Sequence, residues 1–123
     1  MHTVHTAKDD PGPMDGIGFA AVGIMFDVKY YTAKLSWAEQ KVIDNFFDSL
    51  KWDEVTGSPK IDVVNYGVLM TMVDWNNRYT YRGSVTTPPC ARFVHWNVLS
   101  TVYPISQKHL DLFKGQLKRN TTQ

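Results

Sequence analysis

Apolar positions change their spacing along this chain, and each change marks an expected element. His2 to Thr6 mixes polar and apolar side chains as a short polar strand would. Lys8-Asp9-Asp10-Pro11-Gly12-Pro13 follows as a loop, because two prolines and a glycine prevent regular structure. From Ile17 to Val28 the chain is nearly continuous in apolar residues, with Asp27 and Lys29 at its close. That run predicts a strand buried on both faces, and Gly18 and Gly23 weigh against a central helix. At Ser36 the spacing becomes helical. Ser36-Trp37-Ala38-Glu39 has the capping-box pattern, and Val42, Ile43, Phe46, Phe47 and Leu50 then recur on one face. Asp44, Asn45, Asp48 and Lys51 take the other side, and the pattern stops near Trp52, ahead of the turn residues Gly57-Ser58-Pro59.

Beyond that turn, Val63 to Val73 and Tyr79 to Tyr81 read as short strands or extended segments, with Asp74-Trp75-Asn76-Asn77 turning between them. Phe93 to Val102 alternates: Val94, Trp96 and Val98 take one face, His95 and Asn97 the other. A second helix is expected from Ser106, with Ile105 and Leu110 placed to staple its entry and Leu110, Phe113 and Leu117 as its apolar face. Gly115 makes it the weaker of the two. These elements predict a mainly β fold, a β-rich α+β chain with two helices beside its strands.

Length and charge narrow the partners. The 123 residues fit one domain, and Lys+Arg 13 against Asp+Glu 12 leaves a net charge of +1. That balance gives no electrostatic reason to expect nucleic acid or an anionic membrane. The longest apolar run, Ile17 to Phe26, is about half of the roughly 20 residues a membrane-spanning helix needs. The start shows no basic and apolar pattern of a signal peptide. A single cysteine, Cys90, excludes an internal disulfide and a multi-cysteine metal site. By itself it reads as a reduced intracellular thiol, or as one end of a bond to another chain.

Two places could carry chemistry. His2 and His5, three apart on a strand, point to opposite faces and cannot share one metal. His95 is expected to face away from Trp96, and His109 to be solvated in the first turn of its helix. A lone histidine is usually a surface or satisfied residue. The other place is Tyr81-Arg82-Gly83-Ser84-Val85-Thr86-Thr87-Pro88-Pro89-Cys90. Two hydroxyls followed by two prolines make a stiff loop that can hold a hydroxyl and a backbone N–H at a fixed point. From spacing alone a structural loop between strands is the favoured reading.

Tyr-x-Gly-Ser-Val-Thr-Thr-Pro-Pro-Cys, with Trp96 six residues after Cys90, resembles the α-class carbonic anhydrases. Met1-His2-Thr3-Val4-His5 looks like the family's E-[LM]-H-x-V-H strand, and Gly16 to Val28 resembles its D-G-x-x-x-x-V-G-I strand. Ser36 to Leu50 is similar to its amphipathic helix and Pro104-Ile105-Ser106 to its P-I-S turn. The resemblance covers nearly the whole chain and implies part of that family's central twisted sheet with two peripheral helices.

The family holds Zn2+ with three histidines, two from an H-x-H pair and a third that His2 matches. His5 matches a position that does not bind metal. Thr86 matches the threonine that accepts a hydrogen bond from zinc-bound hydroxide, and Thr87 lines the same pocket. Val4, Ala21, Val85, Val94 and Trp96 match the apolar wall that receives carbon dioxide. The implied reaction is reversible hydration of carbon dioxide to bicarbonate. Zinc held by neutral imidazoles lowers the pKa of its water to about 7.

No H-x-H pair occurs in this sequence. Residues 1–123 are therefore expected to be the C-terminal portion of one such domain, with the N-terminal half in a longer parent or on a separate chain. Alone, the chain is expected to be inactive and to bind no zinc tightly. A non-catalytic relative used for binding or assembly is the alternative. Cys90 matches a cysteine that pairs in secreted members, which implies an oxidising compartment for the parent, and Asn120-Thr121-Thr122 is a sequon in agreement.

Overall fold

The computed structural model describes residues 1–6, 18–31, 35–54, 60–61, 63–90 and 92–120. The loop expected at Lys8–Pro13, the strand start at Ile17, the Gly57-Ser58-Pro59 turn and the last two residues of the Asn120 sequon lie outside them. In chain order the elements are β1 (His2–Thr6), β2 (Phe19–Asp27), a 3-10 turn (Val28–Tyr30), α1 (Trp37–Asp48), α2 (Tyr66–Met72), β3 (Arg78–Ser84), β4 (Arg92–Pro104) and α3 (Gln107–Asn120).

The strands form one sheet in the order β1-β2-β4-β3. β1 runs antiparallel to β2, with His2 opposite Gly23 and Val4 opposite Ala21. The Met1 carbonyl extends that ladder by accepting from the Ile24 N–H at 3.0 Å. β3 runs antiparallel to β4, with Tyr81 opposite Trp96, Gly83 opposite Val94 and a bulge between Gly83 and Ser84. β2 and β4 advance in the same direction. Val98 lies against Gly23, and the Ile105 N–H, just past β4, donates to the Asp27 carbonyl at 3.3 Å. The sheet is thus mixed.

Two compact units divide the chain: Met1–Met25 with Asp74–Val102, and Phe26–Val73 with Tyr103–Gln123. In the first, Ala21, Val94 and Trp96 form a buried cluster on one sheet face, with Val85 and Val98 packed against it. Ile24 and Leu99 are buried on the opposite face. β2 is covered only at Ala21, Gly23 and Ile24, whereas Phe19 and Met25 stay exposed, so the strand is not buried along its whole length.

In the second unit Phe47 is the hub, with ring centroids 5.1 Å from Phe26, 5.3 Å from Phe46 and 5.4 Å from Trp52. The capping box that opens α1 is complete: Ser36 Oγ accepts from the Glu39 N–H, and Glu39 accepts from the Ser36 N–H at 2.9 Å.

Among the described residues there are three α-helices where two were expected. Val63–Val73 is not extended; its second half is α2, packed against α1. Gly67, Val68 and Thr71 lower its helix propensity. Tyr66, Leu69, Met70 and Val73 nevertheless share one helical face, and burial of Leu69 and Val73 outweighs the deficit. The face expected for α3 is only partly covered. Leu110 is half-buried, while Phe113 and Leu117 are exposed. Gln116 anchors the helix instead, donating to the Trp52 carbonyl at 2.7 Å.

Candidate functional site

The candidate site grows from the sheet face that carries Ala21, Val94 and Trp96. Alternation along β4 turns Val94, Trp96 and Val98 to this face, and the register with β3 brings Tyr81 and Gly83 beside them. The indole of Trp96 is held at several points. Its Nε1–H donates to the Ser84 carbonyl at 3.0 Å, and Tyr81 stacks on it at 6.3 Å with an interplanar angle of 12°. Gly83 makes room for the ring: a Cβ there would stand 2.9 Å from Trp96 Cδ1. A glycine inside a strand often marks such a close approach. Gly83 was not singled out from the sequence, and its role shows only once β3 pairs with β4.

His2 reaches the same cluster from β1. Its ring meets Trp96 edge-on, with centroids 4.8 Å apart and an interplanar angle of 74°. Gly23, opposite His2, leaves space that a Cβ would share with His2 Cδ2 at 3.8 Å and Val98 Cγ2 at 3.3 Å.

Of the residues singled out from the sequence, Ala21, Val85, Val94 and Trp96 therefore meet in one apolar cluster with His2 on its border. Val4 shares the face through its pairing with Ala21 but is 62% exposed. Thr86 and Thr87 are exposed and follow Val85 directly in the chain. Consecutive Cα atoms are about 3.8 Å apart, so Thr86 starts at the cluster's margin.

Among the described residues, no three His, Cys, Asp or Glu side chains converge as a metal-binding group. His5 faces away from His2, as its pairing with Ala20 requires, and His95 alternates away from Trp96. Among the described residues of β1–β4, His2 is the one imidazole on this face.

His109 departs from expectation: it is 3% exposed rather than solvated. Its Nδ1 lies 2.7 Å from Ser106 Oγ, and its Nε2 lies 2.9 Å from Asp48 Oδ1. The helix α1 passes beside the first turn of α3 and covers the ring. The His109 hydrogen bond is the main cause that holds the Asp48 carboxyl below its usual 3.8, with Lys108 helping and partial burial opposing.

This Ser–His–Asp chain has the order of a nucleophile relay, but its surroundings make it a helix cap. Ser106 Oγ already accepts from the His109 N–H at 3.1 Å, and Ser106 is 8% exposed. A cleft of ≈ 160 Å³ beside it is lined by Asp48, Lys108 and His109 but not by Ser106. An acyl substrate in that cleft would find no serine.

The sequence matches the family model described as eukaryotic-type carbonic anhydrase over residues 1–123. The Caenorhabditis elegans protein named "Putative carbonic anhydrase 3" is 28% identical over 116 residues, which is 93% of this chain and 41% of the relative. The solved α-carbonic anhydrase of Photobacterium profundum superposes with a TM-score of 0.59 at 22% identity, over 93% of this chain and 45% of that one. Dioscorin, solved in complex with ascorbate, superposes with a TM-score of 0.59 at 22% identity, over 90% of this chain and 40% of its own. At these identities the solved structures speak for the fold. The chain spans about two fifths of the nematode relative's length.

Proposed function

Because the chain belongs to the eukaryotic-type carbonic anhydrase family, we propose that it forms one side of a zinc-dependent site for the reversible hydration of carbon dioxide to bicarbonate. The observation that carries this reading is the His2 imidazole set edge-on against Trp96, at the border of the Ala21–Val94–Trp96 cluster. In the proposal His2 is one metal donor. Ala21, Val85, Val94 and Trp96, with Val4 at the rim, offer an uncharged substrate a surface that gains little from water and holds an anionic product poorly. Thr86 supplies a hydroxyl that can both accept and donate, and Thr87 stands beside it.

One imidazole does not hold catalytic zinc, which needs three protein ligands and an open position. The described residues therefore do not fit the metal by themselves. The proposal places the other two imidazoles on polypeptide outside these residues, in the same parent or on a partner chain. The alternative is a binding or assembly module on the same fold, since a fold does not dictate a function. For the parent protein the proposal includes an oxidising compartment. Cys90 is exposed and available for a bond outside this chain; finding it reduced in protein isolated from its source contradicts that part.

Zinc stoichiometry and carbon dioxide hydration test the reading, on the chain alone and with an H-x-H-bearing N-terminal segment of an α-carbonic anhydrase added in trans. Expected are negligible tight zinc alone, and zinc near one per complex with measurable hydration after addition, both lost in His2→Ala. Zinc binding that survives His2→Ala contradicts the assignment. Stoichiometric zinc without hydration favours the module.

A further inference from the structure

We propose that a cleft at the start of α1 binds a small aromatic zwitterion, of the class of a free aromatic amino acid. The site uses none of the residues assigned to carbon dioxide chemistry. The cleft has a volume of ≈ 360 Å³ and is lined by Tyr31, Leu35, Trp37, Gln40, Lys41 and Asp44. That volume lies within the range of about 300–1,000 Å³ typical of small-molecule sites.

Three features of its wall call for three features of a ligand. The first is an acceptor without a donor. Gln40 is 7% exposed, and its Oε1 has no hydrogen-bond partner among the described residues. The amide orientation is settled by its neighbour: Nε2 donates to Asp44 Oδ1 at 3.3 Å, and the reverse orientation would set a carbonyl against a carboxylate. Asp44 Oδ2 accepts from the Tyr31 phenol at 2.9 Å, and this bond is the main cause that raises the Tyr31 pKa. Tyr31, Asp44 and Gln40 thus form a chain that ends on a lone carbonyl, with a carboxylate at its centre. A buried acceptor left unpaired is costly, so a ligand N–H, above all an ammonium, gains more here than in water.

The second feature is a cation. Lys41 Nζ lies over the Trp37 ring, 5.4 Å from its centroid, about one helical step from Asp44. It suits a ligand carboxylate. The third is the indole itself: Trp37 is 78% exposed and offers a flat apolar face at the cleft mouth. An ammonium for Gln40 and Asp44, a carboxylate for Lys41 and a ring for Trp37 together describe an aromatic amino acid.

Titration with L-phenylalanine, followed by tryptophan fluorescence and calorimetry without added metal, tests this. Saturable binding is expected, weakened at least tenfold in Gln40→Leu, Lys41→Gln and Trp37→Ala. Phenethylamine, which lacks the carboxylate, should bind more weakly and be indifferent to Lys41→Gln. Phenylacetate, which lacks the ammonium, should be indifferent to Gln40→Leu. Lys41 and Trp37 are exposed, so their variants keep the test valid if Gln40→Leu unfolds. No saturation with L-phenylalanine, or equal binding by Lys41→Gln, overturns the proposal. Neither outcome touches the zinc reading, which rests on other residues and another ligand.

Discussion

The close approach of Trp96 to the β3 backbone gives a sharp prediction for Gly83→Ala. The new Cβ would stand 2.9 Å from Trp96 Cδ1 and 3.2 Å from its Nε1. Carbon atoms pack at about 3.5 Å or more, so the indole must retreat by roughly 0.6 Å. Tyr81, on the other side, is exposed and can yield, but Trp96 is buried and tied to Ser84 by a 3.0 Å hydrogen bond. A retreat of that size stretches the bond to about the limit of useful geometry. Overpacking costs about 1–3 kcal/mol, and weakening a buried indole hydrogen bond adds about 1 kcal/mol. Reduced freedom of the unfolded chain returns about 0.4–1 kcal/mol. The net expectation is destabilisation by about 2 kcal/mol.

Gly115→Ala is the matched control. Nothing lies within 4 Å of its added Cβ, and it sits in α3, so it should stabilise by about 0.5–1 kcal/mol. Urea unfolding followed by fluorescence reads the two opposite signs. The Trp96 indole N–H resonance should move in the first variant and not in the second. Equal midpoints for the two variants, or an unmoved indole signal in Gly83→Ala, would refute the close-packing argument.

Other consequences follow from the second unit. The Asp48 carboxyl is held below its unfolded value of 3.8 by His109, so its contribution to stability is present above that pH and is lost as pH falls through the lowered folded value. Acid unfolding between about pH 5 and 2 should therefore be shallower in His109→Gln than in the parent chain, and identical acid limbs would remove His109 as the cause. Leu69→Ala, at 1% exposure in α2, should cost about 2–5 kcal/mol. A cost under about 0.5 kcal/mol, the usual range for surface changes, would mean that the segment does not pack as a helix against α1.

What could be read in advance was whatever depends on near neighbours in the chain. β1 occupies the expected five residues, His2–Thr6, because alternation is local. Ser36 caps α1 because a capping box is complete within four residues. The helix α2 was missed for the opposite reason: Asn65 makes no side-chain cap, so no local start signal exists. Its stripe of Tyr66, Leu69, Met70 and Val73 is diluted by Gly67, Val68 and Thr71 until α1 covers it. His109 looked solvated because its partner, Asp48, is 61 residues away. The candidate site shows the same division. Alternation separated His2 from His5 and His95 from Trp96, but the Trp96 contacts with His2, Tyr81 and Gly83 depend on the pairing of strands distant in sequence.

The central claim is that His2 and Thr86 serve one metal ion, and cobalt(II) substituted for zinc tests it most directly. In the assembly with an H-x-H-bearing N-terminal segment, paramagnetic broadening should strike both the His2 ring protons and the Thr86 methyl resonance, and should spare His5. A sharp Thr86 methyl signal beside a broadened His2, or cobalt held without perturbing His2, would contradict the account.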